Sequence, residues 1–532
     1  MAQGTGMRAP INGRALLRRS MLRAAAGIAV FAGPLAMTAC VTPEAEGPQP
    51  GPWFNLATLE KVAAVDERFQ SYNVEMVEVT GGRFWAPYAN RGGERYRMRP
   101  PMDLSSERLR NLARHLGPSY VRVSGTWANS TYVQAEGEVI ETPPSGFEQV
   151  LTRDQWRGLV DFSNAVDARI VTSFAISGGA RDETGVWQPE QAQRLLDLTR
   201  EAGGEIAAAE YANEPNATAL GRFPSGYSAG DYSRDFAIFR DWARANAPDL
   251  TILGPGSVGE GAIFGSIPVA AQAAFVSTSD MLSVNPGSVD AFSYHFYGAV
   301  SERCAGMGVD VASFDDALSS AWLDRTLADY RFYSALRDEY EPGKPIWLTE
   351  TAQAACGGSP WAASFADSFR YLNQQGQLAQ RGVQVVMHNT LAASDYALID
   401  EETLQPRPNY WAALLWRRTM GSTVLASPST RSSEVRMFAH CLPKKSGGVG
   451  LAILNLGDEA HSIAFGSDAE VYSLTASDLA SQDVLINQSE PKMTDSGAFT
   501  GLFPLIQNGA EVAPNSITFV AVKDAGNPQC KA

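Results

Sequence analysis

Residues 206–216, Ile206-Ala207-Ala208-Ala209-Glu210-Tyr211-Ala212-Asn213-Glu214-Pro215-Asn216, join a short apolar run to a polar turn. The run reads as a buried strand that presents Asn213 and Glu214 at its carboxyl end. Pro215 closes it, because proline donates no ladder hydrogen bond. The pattern returns 136 residues later in Lys344-Pro345-Ile346-Trp347-Leu348-Thr349-Glu350-Thr351, again an apolar strand ending in an acid. A carboxyl group so placed is a proton donor when its surroundings raise its pKa, and a second carboxylate beside it takes the complementary role.

Working outward, strand-like and helix-like stretches alternate. Strands are predicted at 72–79, 120–126, 168–176, in the run ending at Glu214, at 251–255, 291–297, in the run ending at Glu350, and at 383–388. Helical spacing falls at 105–116, 153–166, 189–201, 232–245, 323–339 and 365–380. Eight strands in alternation with helices predict an α/β fold, a (β/α)₈ TIM barrel whose site lies at the carboxyl ends of its strands. From about Gly421 the helical period stops, and short strands at 435–440, 449–454, 462–465 and 516–522 predict a C-terminal β-sandwich. The expected division is a leader over 1–39, a tether over 40–52, the barrel over 53–420 and the sandwich over 421–532. The first barrel residues are free to add a strand to the sandwich.

With 45% hydrophobic and 19% charged residues the chain is expected to be globular. Its formal charge of −15, and −20 once the five arginines of residues 1–39 are removed, argues against nucleic-acid partners and polysulfated chains. Leu17-Arg18-Arg19-Ser20-Met21-Leu22-Arg23 is similar to a twin-arginine export signal, followed by an apolar run too short to span a bilayer. Leu35-Ala36-Met37-Thr38-Ala39-Cys40 looks like a lipoprotein cleavage box, so export and a lipid anchor on Cys40 are expected. An ordinary signal cleaved nearby is the alternative. Four further cysteines remain, an even number in an exported chain; Cys441 with Cys530 is the favoured disulfide and Cys304 with Cys356 the weaker one. The five histidines show no ligand spacing, so neither metal nor cofactor is expected.

These motifs resemble glycoside hydrolase family 79, the heparanase and β-glucuronidase family. The resemblance runs from Phe69 to Cys530. It is carried by Leu109-Arg110-Asn111-Leu112-Ala113-Arg114 leading to Tyr120-Val121-Arg122-Val123-Ser124-Gly125-Thr126, by 190–216, and by Trp347-Leu348-Thr349-Glu350-Thr351 with Gly357-Gly358. Its most family-specific part is Gly382-Val383-Gln384-Val385-Val386-Met387 through Tyr396, Asp400-Glu401 and Pro408-Asn409-Tyr410-Trp411.

The resemblance implies Glu214 as general acid/base and Glu350 as nucleophile of a retaining β-glucuronidase. Asn213 would hydrogen-bond the sugar 2-hydroxyl. Thr126 and Glu75 would contact the sugar, with His295 and Tyr297 in an aromatic and histidine cluster on the sixth strand. Tyr396 and the amides of Gly357 and Gly358 would receive the uronate carboxylate. Plainer readings stand beside these: Tyr396 and Tyr297 as packing, Thr126 bonding its backbone, Glu75 paired with an arginine, His295 as a core histidine. Trp85, Trp127, Trp187 and Trp361 read equally as sugar-stacking platforms and as core, with Trp85 and Trp127 favoured for stacking. The chain departs from the family in Cys356 ahead of the two glycines, in Glu75 where an aspartate is frequent, and in an acidic stretch, 136–148, where the vertebrate enzyme is basic. The expected partner is a carbohydrate, a β-linked glucuronide. A retaining exo-glycosidase for glucosides or xylosides, and a non-catalytic glycan-binding surface lipoprotein, are the competing readings.

Overall fold

The computed structural model describes residues 54–90, 94–261, 275–430 and 432–531. The export signal, Cys40 and the tether predicted from sequence lie outside these residues. Eight parallel strands close into a barrel: β1 Gln70–Asn73, β2 Ser119–Val123, β3 Ala168–Ser173, β4 Ile206–Glu210, β5 Thr251–Ser257, β6 Ala291–Tyr297, β7 Ile346–Ala352 and β8 Val385–His388. Closure is made by β8 on β1, where Val386 stands opposite Gln70. Each strand is followed by a helix: α1 Glu107–Leu116, α2 Arg153–Ala165, α3 Glu190–Glu201, α4 Ala229–Asn246, α5 Thr278–Val284, α6 Arg325–Tyr340, α7 Phe365–Ala379 and α8 Pro408–Thr419. The helix starts follow local chemistry. Ser106 accepts the Leu109 amide ahead of α1, Thr152 and Gln155 cap one another at α2, and Pro408 sits in the first turn of α8. Among the described residues no helix is long and apolar enough to cross a membrane.

The barrel interior is built in layers. Tyr120, Val171, Ala208, Leu253, Ala291, Trp347, Val385 and Met387 form one apolar layer drawn from seven strands. Strand side chains alternate in and out, so the residue two positions further on faces the same interior one step closer to the carboxyl ends. From Tyr120, Ala208 and Trp347 that residue is Arg122, Glu210 and Thr349. The barrel therefore floors its mouth with charge.

The predicted strand 72–79 is corrected. Strand β1 ends at Asn73, and residues Met76–Thr80 form a short helix with Glu75 as its N-cap. The Glu78 carboxylate reaches back to the Glu75 amide at 2.6 Å, which offers the valine-rich segment a helical turn in place of a ladder. For Trp187 and Trp361 the structure decides between the two readings: both are buried, and their ring nitrogens donate to the carbonyls of Ala175 and Ala312. They are core, not sugar platforms.

Seven strands C-terminal to α8 and one from before the barrel form an antiparallel eight-stranded sheet. Its central strands are β10 Val435–Cys441, β11 Val449–Asn455 and β14 Ser516–Val522, with β9 Thr423–Leu425 beyond β10. The edge strand Lys61–Ala64 pairs with β9 although it precedes the barrel in sequence. The long strand β12 His461–Thr475 shifts register between Ala464 and Ala469, and its first part pairs only with β13 Leu505–Val512. Ile463, Phe465, Ala510 and Val512 of that hairpin share one core with Met437, Leu451 and Val520, so the sheet folds over itself as a second layer. Helix α7 is buried almost all round because it lies between barrel and sheet; Gly376 admits the Phe438 ring, which a Cβ would meet at 2.2 Å. Cys441 and Cys530 are disulfide-bonded, as are Cys304 and Cys356.

Candidate active site

The two predicted acids come together at the carboxyl ends of the strands. Glu350 lies in β7, and Glu214 lies in the turn after β4 with φ of +49°, a strained value for a residue with a side chain. One oxygen of each and a ring nitrogen of His295 all lie within 4.8 Å of one another. His295 reaches them from β6 because the β6–β7 register skips a residue after Tyr294, which sets His295 opposite Glu350. Its Nδ1 is 3.1 Å from Glu214 Oε1 and 3.8 Å from Glu350 Oε2.

Beneath this pair lies Arg122 of β2, a residue to which neither the strand pattern nor the family resemblance assigns a role. Its Nη1 donates to Glu350 Oε2 at 2.8 Å, and Nη2 donates to Glu210 Oε2 and Asn213 Oδ1, both at 2.9 Å. Its Nε completes a fork on Glu210 at 3.1 Å. Thr349 Oγ1 donates to the other Glu210 oxygen at 2.7 Å. The available signal was a charged residue at an inward position of an otherwise apolar strand, which demands a buried counter-charge. Tyr297 Oη donates to Glu350 Oε1 at 2.6 Å, so both nucleophile-candidate oxygens hold a donor.

The electrostatics push the two acids apart. Burial alone would raise Glu350, but His295, Arg122 and the Tyr297 hydroxyl outweigh it and hold its carboxyl below the usual range. Burial and the like charge of Glu350 raise Glu214, against the opposing His295 hydrogen bond. His295 would be lowered by burial, yet the carboxylates around it raise it to about 9. Glu210 is depressed, burial being overcome by Arg122, His295 and Thr349. Glu75 is raised well above its ordinary value by burial and by Glu350. Two depressed carboxyls, Glu350 and Glu210, a raised one, Glu214, and two cationic groups, Arg122 and His295, are thus gathered at the mouth. Glu214, His295 and Glu350 offer three potential metal-ligand atoms, but the Arg122 guanidinium 2.8 Å from Glu350 and 3.2 Å from His295 Nε2 already supplies cationic charge there.

Asn389, which the sequence did not single out, gathers three of the predicted residues. Its Nδ2, which has two hydrogens to give, lies 3.0 Å from Glu75 Oε1 and 3.1 Å from each of the Tyr297 and Tyr396 hydroxyl oxygens. Tyr396 Oη accepts there and donates to no group among the described residues. Gly125, with φ of +87°, leaves the space Glu75 fills: a Cβ would lie 1.5 Å from Glu75 Oε2. Thr126 is half-buried in the turn after β2 and makes no hydrogen bond among the described residues. Gly357 and Gly358 both adopt φ of +83° beside Tyr396 and Trp85. The expectation for Gly358 is corrected, since its amide donates to the Ala354 carbonyl at 3.2 Å. The Gly357 amide has no such partner among the described residues. Trp85 is half-buried at this rim, stacked on Tyr96 with ring centroids 4.6 Å apart, and Trp127 packs edge-on to Phe84.

Comparison with known proteins follows the same line. Residues 101–376, more than half of the chain, match the model of the glycosyl hydrolase family 79 N-terminal domain. Heparanase-like protein 1 of Arabidopsis thaliana is 24% identical over 376 residues, which cover 68% of this chain and 66% of that protein. Baicalin-beta-D-glucuronidase of Scutellaria baicalensis is 32% identical over 230 residues, covering 40% and 43%. Among solved structures, a 4-O-alpha-L-rhamnosyl-beta-D-glucuronidase from Fusarium oxysporum superposes with a TM-score of 0.56 at 13% identity, over 89% of this chain and 99% of that one, a likeness of fold. The chain belongs to glycosyl hydrolase family 79.

Proposed function

We propose that this protein is a retaining β-glucuronidase, with Glu350 as nucleophile and Glu214 as acid/base. The observation that carries this is the meeting of Glu214 and Glu350 within 4.8 Å, one raised and the other depressed in pKa. Retaining enzymes hold their carboxyl groups about 5–5.5 Å apart, where inverting enzymes leave room for a water. Glu350 attacks the anomeric carbon while Glu214 protonates the leaving oxygen. Glu214, then ionised, takes a proton from the water that releases the sugar. The Asn213 amide nitrogen is left for the 2-hydroxyl, since its oxygen is held by Arg122. The Tyr396 hydroxyl and the Gly357 amide face the uronate carboxylate as directed donors in an acidic protein. The names of the relatives, a heparanase-like protein and a β-glucuronidase, support the uronate reading.

The same reading includes export, with Cys40 lipidated, on the strength of residues 17–23 and 35–40. The test uses the mature chain with 4-nitrophenyl β-D-glucuronide, glucoside and xyloside. Hydrolysis of the glucuronide at least about tenfold faster, with the β-anomer released first by NMR, is expected. Preference for either neutral sugar would overturn the uronate assignment, and first release of the α-anomer would overturn retention.

A further inference from the structure

Glu210 carries a buried charge that neither proton transfer nor bond cleavage requires. It is fully buried, four residues before Glu214 and one layer below it. Both of its oxygens are held: Oε2 by the Nε and Nη2 of Arg122, and Oε1 by Thr349 Oγ1. The barrel makes room for it, for Gly256 adopts φ of +73° and a Cβ there would stand 2.9 Å from Glu210 Oε1. His295 Nε2 lies 3.8 Å from the same oxygen. Arg122 therefore divides one guanidinium between two carboxylates, a fork to Glu210 and a single 2.8 Å contact to Glu350.

We propose that Glu210 is a positioning residue that holds Arg122 and draws part of its charge away from Glu350, so that the nucleophile is oriented without being quenched. A guanidinium with Glu350 as its only carboxylate partner would concentrate its stabilisation on the attacking oxygen. It would also be able to swing into a bidentate pair that blocks attack. With the fork fixed on Glu210, only Nη1 reaches Glu350 and its other oxygen stays with Tyr297. Glu210 cannot attack in place of Glu350, because the guanidinium lies between it and the mouth. This inference rests on the reading of Glu350 as nucleophile.

The test begins with the wild-type enzyme and a 2-deoxy-2-fluoro-β-glucuronosyl fluoride, with intact-mass and peptide analysis. Labelling at a residue other than Glu350, or none, overturns the functional reading and with it this inference. Given labelling at Glu350, Glu210→Gln is expected to lower kcat about 100-fold, with KM changed less than about threefold. Loss of one negative charge should lower the pKa values of Glu350 and Glu214 alike, so both limbs of the pH–rate profile should move about one pH unit toward acid. A variant with wild-type kcat, or one that melts lower with both limbs unmoved, overturns the proposal while leaving the nucleophile in place. Should Glu210→Gln fail to fold, Thr349→Val, which releases Oε1 and keeps the charge, is expected to lower kcat about tenfold; wild-type kcat in that variant overturns the proposal equally.

Discussion

Tyr297 Oη donates to Glu350 Oε1 across 2.6 Å, on the side of the carboxylate that Arg122 leaves open. The bond stabilises the ionised form of Glu350. Tyr297→Phe removes it without vacating the ring's packing, so the Glu350 pKa rises and the acidic limb of kcat/KM moves to higher pH. A loss of about 1.5–3 kcal/mol of transition-state stabilisation, roughly 10- to 100-fold in kcat/KM, is expected for a hydrogen bond to a charged group. Steady-state rates between pH 4 and 9 check it. An unmoved acidic limb would separate Tyr297 from the nucleophile.

Gly125 and Glu75 share a single space. A methyl group on residue 125 would lie 1.5 Å from Glu75 Oε2, at a backbone φ of +87° that side chains resist. Gly125→Ala is therefore expected to displace Glu75, break its 3.0 Å bond from Asn389 and weaken substrate binding. Titration calorimetry with a glucuronide in a Glu350→Gln background isolates binding from turnover. Undiminished affinity in a folded variant would show that Glu75 does not contact the sugar.

Asp329 sits buried on α6 with Oδ1 unpartnered among the described residues. Burial, with the negative charge of Glu260 added, raises its pKa from 3.8 to about 8. A raised acid is protonated in the fold and ionised when unfolded, so its contribution is complete below pH 3.8 and fades as pH climbs toward 8. Asp329→Asn does not titrate. Its stability relative to wild type should improve by about 3–4 kcal/mol between pH 5 and pH 8, read from urea unfolding. Parallel stability curves for the two proteins would rule the effect out.

The Cys304–Cys356 bridge joins the turn after β6 to the loop after β7 that carries Gly357. It closes a span of 52 residues, so the Cys304→Ser/Cys356→Ser variant should lose about 2–4 kcal/mol of stability. With Gly357 less well held, KM should rise more than kcat falls. The Cys441→Ser/Cys530→Ser variant, whose bridge lies in the sheet, should lose stability with KM unchanged. Equal KM effects from the two variants would break the link between the loop and substrate binding.

The catalytic candidates were legible because strand-end acids announce themselves by an apolar run before and a breaker after. The barrel was legible for the same reason of period. Arg122 and Glu210 were visible as letters but not as partners, since nothing local says that strands β2 and β4 are neighbours of β7 across an interior. Strand β1 was overextended because Val74, Val77 and Val79 favour a ladder, while the Glu78 carboxylate that starts a helical turn acts through a contact three residues back. The Gly358 amide was misassigned because a glycine's freedom is readable and its hydrogen-bond partner is not. Trp187 and Trp361 stood open between rim and core because loops over a barrel mouth pack cores of their own, which no local pattern reveals.

The pairing of Lys61–Ala64 with Thr423–Leu425 stitches the start of the described chain to a sheet made almost entirely from its end. Asn527 tightens the seam by donating to the carbonyls of Leu56 and Leu59. Cutting the gene at residue 420 would strand an orphan edge and strip the cover from helix α7. The barrel is consequently no portable module: it can be transplanted, displayed or truncated only with its sheet attached.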